Sequence, residues 1–293
     1  LLREGPFSKI WIQPAAGDAG GALGAAFFCW HHILDKPRYP VLPDAQKGSA
    51  LGPSYSDQDI MLALNRAGAV FTHYSNEVEL LDLVAALIDE GKIVGHFHGP
   101  MEFGPRALGN RSILGDARNP HTQSLMHLKI KYRESFRPFA PSCLEEKSKA
   151  YFDLHAPSPY MLLVAEVAQS QLKSKTADDM KLFGLDKLKC VRSEIPAVTH
   201  VDNSARIQTV NAEISPRFHK LINAFYKRTG CPVIVNTSFN IRGEPIVRTP
   251  EEAYRCFMYT DIDALVLGSC LCLKHRQPVM SGAESYKRQF KLD

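Results

Sequence analysis

Four stretches of this chain concentrate the side chains that bind and transform anions. Glu102-Phe-Gly-Pro-Arg106-Ala-Leu-Gly-Asn110-Arg111-Ser112 sets two arginines, an asparagine and a serine between glycine-bounded turns. Lys129-Ile-Lys131-Tyr-Arg133-Glu134-Ser-Phe-Arg137-Pro-Phe-Ala-Pro141 carries four cations into a proline-bounded segment. In Val233-Ile-Val-Asn236-Thr-Ser238-Phe-Asn240-Ile-Arg-Gly243-Glu244-Pro an apolar run emerges into small polar positions. There Asn236, Ser238 and Asn240 alternate, so an extended backbone points them to one face. His200-Val-Asp202-Asn-Ser-Ala-Arg206-Ile-Gln208 adds Arg206 where a strand begins. Guanidinium binds phosphate bidentately, and each charge-assisted hydrogen bond is worth roughly 1.5–3 kcal/mol when desolvated. Arg106, Arg111, Lys131, Arg133, Arg137 and Arg206 together suit a nucleotide triphosphate and a second small phosphate donor. Each cluster also has a plainer reading: cations near a helix C-terminus favour the macrodipole, and a polar run can be a turn.

The elements that must position these residues are legible from periodicity and punctuation. Ile10 to Ile12 reads as a strand, followed by a turn and a helix through Pro14-Ala-Ala-Gly-Asp18-Ala-Gly20-Gly21-Ala-Leu-Gly24. Proline and glycine from Pro37 to Pro53 predict a linker. Asn76 caps a helix with Leu80, Leu81, Leu83, Val84, Leu87 and Ile88 on one face, closing at Gly91. Further helices are predicted at His121–Lys131, Pro216–Thr229 and Pro250–Tyr259. Strands are predicted at Ile93–Phe97, Tyr160–Val167, Arg206–Val210, Pro232–Asn236 and Ala264–Gly268. This mixture predicts an α/β or mixed α+β class. The Lys-rich segment Gln169–Arg192 reads as a solvated excursion.

Composition bounds the function. The chain has 293 residues, 45% hydrophobic and 23% charged, with 35 Lys and Arg against 31 Asp and Glu. The surplus of +4 argues against bulk nucleic-acid binding and permits a local basic pocket. The uncharged run Ala19–Leu34 is too short to span a bilayer. Seven irregularly spaced cysteines predict a reduced, cytoplasmic compartment. The chain does not begin with Met, which suggests numbering that starts inside a longer protein. Walker A, GxGxxG, HExxH and paired CxxC signatures are absent.

Five segments, in order and spanning most of the chain, resemble the O-carbamoyltransferase family of nodulation-factor and antibiotic carbamoylation. They are QPAAGDAGGALGAA, MEFGPRALGNRSIL, KYRESFRPFAPS, PAVTHVDNSARIQTV and TGCPVIVNTSFNIRGEPIVRTPEEA. The resemblance implies the end of a Kae1-like domain of actin-like ATPase fold at residues 1–36, a linker at 37–69, and a YrdC-like twisted α/β sheet with helices at 70–293. It further implies carbamoyl-adenylate formation from carbamoyl phosphate and ATP with Mg. Transfer to a hydroxyl of a small sugar-like or antibiotic-like acceptor would follow, helped by a divalent metal such as iron in the Kae1-like domain. On that reading Lys131, Arg137 and Arg206 are catalytic, and Arg106, Arg111, Arg133, Asn236, Ser238 and Asn240 hold substrate. Gly20, Gly21 and Gly24 approach ATP phosphates, and Asp18 supplies a metal ligand.

The chain departs from the family in having no His-x-x-x-His pair, so the rest of a Kae1-like domain is the implied partner of Asp18. Pro100 and Asn203 also depart from the pattern expected beside the motifs. His96 and His98 share a strand face, where satisfied or solvent-facing histidines are the commoner outcome than a metal pair. Three alternatives to an active carbamoyltransferase are a threonylcarbamoyl-adenylate synthase of tRNA modification, a non-catalytic RNA-binding module and an inactive truncated remnant.

Overall fold

The computed structural model describes residues 4–7, 10–41, 44–134, 136–174, 176–177, 179–279 and 282–290. Its centre is a mixed sheet of nine strands in the order β1-β9-β8-β2-β3-β7-β4-β6-β5. The strands are β1 (Thr72–His73), β2 (Val94–Phe97), β3 (Arg111–Asp116), β4 (Ala140–Leu144), β5 (Leu163–Glu166), β6 (Ser204–Val210), β7 (Val233–Ser238), β8 (Ala264–Leu267) and β9 (Cys270–Leu273). β2–β8 and β4–β6 are parallel and the other neighbours antiparallel, so the class is mixed α/β.

The helices form where the caps and apolar stripes predict. In α3 (Glu77–Asp89) the Asn76 side chain accepts from the Val78 N–H at 3.0 Å, and Leu80, Leu81, Val84 and Ile88 are buried. Each such side chain contributes roughly 1.5–3 kcal/mol on burial. α5 (Pro216–Thr229) starts with proline, which needs no N–H donor in the first turn, and ends at Gly230 with φ +75°. α3 packs along α5. α6 (Pro250–Met258) packs on β2 and β8.

Several expectations change. Ile10, Trp11 and Ile12 form no strand and are 40%, 56% and 38% exposed, because among the described residues no strand pairs with them. The helix after them does form as α1 (Asp18–Phe28), with no buried residue. The stretch read as a linker contains α2 (Asp57–Arg66), opened by a capping box between Ser56 and Asp59. Ile60 and Leu64 of α2 join the core, so packed structure begins ahead of residue 70. Strands β1, β3, β4 and β9 are additional to those read from the sequence. β4 lies inside the sheet between β7 and β6 despite Pro141, a residue that normally argues for an edge. The helix predicted over His121–Lys131 is α4 (Thr122–Met126) continued by a π-helical turn, His127–Lys131, and stopped by left-handed Tyr132 at φ +48°.

Candidate active site: a guanidinium-lined cleft

A cleft of about 430 Å³ opens where four strands lie side by side. Arg106 reaches it from the loop before β3, Arg133 and Arg137 from the loop between α4 and β4, Arg206 from β6, and Asn236 and Ser238 from β7. The sheet order β3-β7-β4-β6 makes these segments neighbours, although they span 133 positions of sequence (106 to 238, inclusive). Arg137 pairs with Glu134 at 3.4 Å, with both side chains partly exposed. Among the described residues, no carboxylate lies within ion-pair distance of Arg106, Arg133 or Arg206. Burial and then the charge of Arg137 push the Arg133 guanidinium down to about 10. Burial and then Arg106 lower Arg206. Four cations crowded around one partly exposed carboxylate, Glu134, leave positive charge over that can attract an anion.

The loop carrying Arg106 is held from below. Glu102 is 5% exposed, and its Oε1 accepts from the N–H groups of Leu108 at 2.7 Å, Asn110 at 2.8 Å and Arg111 at 3.3 Å. Asn236 joins the same loop to the sheet, its amide nitrogen lying 3.2 Å from Ala107 O, 3.0 Å from Ser142 Oγ and 2.9 Å from Gln208 Oε1. Gln208 in turn donates to Leu108 O at 2.7 Å. Gly104, at φ +122°, lets the loop touch Ala15, whose Cβ would sit 3.0 Å from a Cβ there.

Two expected ligand groups serve the structure instead. Arg111 is 0% exposed and lies 3.6 Å over the Phe97 ring. Its guanidinium donates to the carbonyls of His98, Gly99, Asn110 and Pro53 at 3.0–3.2 Å. Its two terminal nitrogens are committed to backbone carbonyls and its Nε is buried without a partner, and Arg111 does not line the cleft. Lys131 is also buried. Its Nζ donates to Ser238 O, to Asn240 Oδ1 at 2.7 Å and to Asn240 O at 3.0 Å, with Ser238 Oγ at 3.2 Å. Burial first, and Arg133 next, push its amine down to about 7, whereas the ring of oxygens favours the ammonium. Lys131 therefore fixes the turn that presents Ser238, and Asn240 sits in this network rather than against the cleft.

The structure does not bring Asp18, Gly20, Gly21 or Gly24 to the arginines. All lie on α1, and Gly21 and Gly24 face open space. Among the described residues no three His, Cys, Asp or Glu side chains converge as metal ligands. Asp18 supplies one carboxylate, too few to hold a metal by itself. His96 is buried, with Nδ1 2.6 Å from Gly109 O and the ring stacked on Phe218, while its Nε2 has no hydrogen-bond partner among the described residues. Glu102, His127 and Gln208 were not singled out in the sequence. Their signals are faint: Glu102 opens the first motif, His127 stands one helical turn before Lys131, and Gln208 alternates with Arg206.

Fold and cleft together define a mixed α/β protein with a cleft lined by four arginines. The family described as Carbamoyltransferase C-terminus matches residues 85–274, and that described as Carbamoyltransferase N-terminus matches residues 1–27. The chain belongs to the carbamoyltransferase family. The uncharacterized protein sll1178 of Synechocystis sp. is 54% identical over 295 residues, covering 100% of this chain and 48% of that protein. Nodulation protein NolNO of Sinorhizobium fredii is 40% identical over 281 residues, 94% of this chain and 37% of that protein. The chain thus spans about half the length of these curated relatives, or less. P. abyssi Sua5 complexed with L-threonine overlaps at TM-score 0.44 and 16% identity, over 67% of this chain and 48% of that one. Among the described residues no helix is long and apolar enough to cross a membrane.

Proposed function

We propose that this chain carries the adenylate-forming half of an O-carbamoyltransferase. Carbamoyl phosphate, with one water, gives carbamate and phosphate. A carbamate oxygen then attacks the α-phosphorus of ATP, giving carbamoyl-adenylate and pyrophosphate. Transfer to an acceptor hydroxyl forms the carbamate ester and releases AMP. The observation that supports this reading is the set of four arginines around one cleft, three of them without a carboxylate partner among the described residues. Forming a mixed anhydride brings two anions together, and positioned cations offset both their repulsion and the charge that develops.

On this reading Arg106, Arg133, Arg137 and Arg206 grip phosphate oxygens. Ser238 orients the carbamoyl group, and Lys131 and Asn240 act through Ser238. The acceptor is a hydroxyl-bearing small molecule, taken by the Kae1-like part of the whole protein, to which α1 belongs.

Incubation with carbamoyl phosphate, ATP and magnesium should yield carbamoyl-adenylate by mass spectrometry, with phosphate and pyrophosphate released. Product from threonine, bicarbonate and ATP, but none from carbamoyl phosphate, would replace this reading with the threonylcarbamoyl one.

A further inference from the structure

We infer that His127 is a positioning residue, which holds the Arg133 side chain and the Arg137 backbone in place around the anion cleft through the two nitrogens of one neutral ring. The inference rests on the cleft being the phosphate-binding end of the adenylation site proposed above.

The hydrogen bonds assign the ring's tautomer. Nε2 lies 2.7 Å from Arg137 O. A carbonyl only accepts, so Nε2 carries the proton. Nδ1 lies 3.2 Å from Arg133 Nε. That nitrogen only donates, so Nδ1 is bare. A doubly protonated ring would set N–H against N–H and drive Arg133 away. The surroundings keep the ring neutral: burial first, then Arg133, hold its proton affinity down to about 4. Face contact with Phe139, at 4.3 Å between centroids and 20° between planes, fixes the ring plane. Arg133 also sits over Phe139 at 5.1 Å.

This arrangement sets which edge of Arg133 meets a ligand. With Nε committed to His127, the two terminal nitrogens are left for phosphate oxygens, and a flexible side chain is ordered before the ligand arrives. The π-helical turn beginning at His127 places the ring between the two arginines, and π-turns recur where a helix serves a site.

Amide side chains can replace each nitrogen separately. His127→Asn offers an acceptor near Nδ1, and His127→Gln a donor near Nε2. The first readout is pyrophosphate affinity by titration calorimetry. Relative to the parent, His127→Phe should keep the stack on Phe139 and bind about 10-fold more weakly, as loss of one charge-assisted bond implies. His127→Asn should recover most of that loss. His127→Gln should weaken binding on its own but add nothing to Arg133→Ala, since both remove the same contact. The second readout is histidine 15N NMR of the parent chain, expected to show a neutral ring protonated at Nε2. A His127→Phe variant that melts and binds pyrophosphate like the parent overturns the inference, as does a proton on Nδ1. If His127→Phe does not fold, the Gln cycle and the NMR assignment decide. The expected pyrophosphate pattern without any carbamoyl-adenylate would uphold His127 and sink only the adenylation reading.

Discussion

Arg106 and Arg111 belong to one loop-and-strand motif and end in opposite environments. Arg106 lines the cleft with its guanidinium opposite no carboxylate among the described residues, whereas Arg111 is sealed over Phe97 with its two terminal nitrogens on four backbone carbonyls. Glu102 stands between them, tied to the N–H of Arg111 and to two N–H groups of the Arg106 loop. One motif therefore supplies both a ligand-binding cation and the strut beneath it.

Arg137→Ala and Arg206→Ala should each weaken pyrophosphate binding by about 10- to 100-fold, the loss of one desolvated charge-assisted contact. Arg137 gives up only a half-exposed pairing with Glu134, so its thermal melt should move little. Calorimetric titration of folded variants is the check, and parental affinity in both would remove the cleft as the anion site.

Arg111→Lys should do the reverse. One ammonium cannot reproduce the planar fork that reaches four carbonyls. Urea unfolding should show a loss on the order of 3 kcal/mol, with pyrophosphate affinity within about twofold of the parent. A large drop in affinity with unchanged stability would return Arg111 to the binding site.

Lys131 and Ser238 should separate by size. Ser238→Ala removes one neutral hydrogen-bonding group and should cost about fivefold in adenylate formation. Lys131→Ala strips a buried cation from the Ser238 and Asn240 oxygens, so activity and stability should fall together. Equal, small effects from the two variants would contradict the network.

Acid should destabilise the fold across a defined window. Burial and neighbouring arginines hold His96 at about 3, His98 at about 4 and His127 at about 4, against an ordinary value of 6.5. Between those values and 6.5 the unfolded chain binds more protons than the folded one, so stability rises with pH. Tm measured from pH 4 to pH 7 should climb and then level off. A flat profile would show that these rings are not buried neutral.

Local chemistry was written in the sequence wherever nearest neighbours decide it. Asn76 and Pro216 start their helices, and Gly91 and Gly230 close them, because caps and left-handed turns depend on a few adjacent residues. The cationic motifs themselves, and their likeness to carbamoyltransferases, were equally visible. The strand at β4 was not, because Pro141 argues against it locally and only β6 and β7 on either side make it a strand. Nor could the sequence say which cations face a ligand. Arg111 is consumed by carbonyls as distant as Pro53, and Lys131 by Ser238 and Asn240 more than a hundred residues away. Residue type sets what a guanidinium or an ammonium can bind; which partner it meets depends on segments that become neighbours only when the sheet closes.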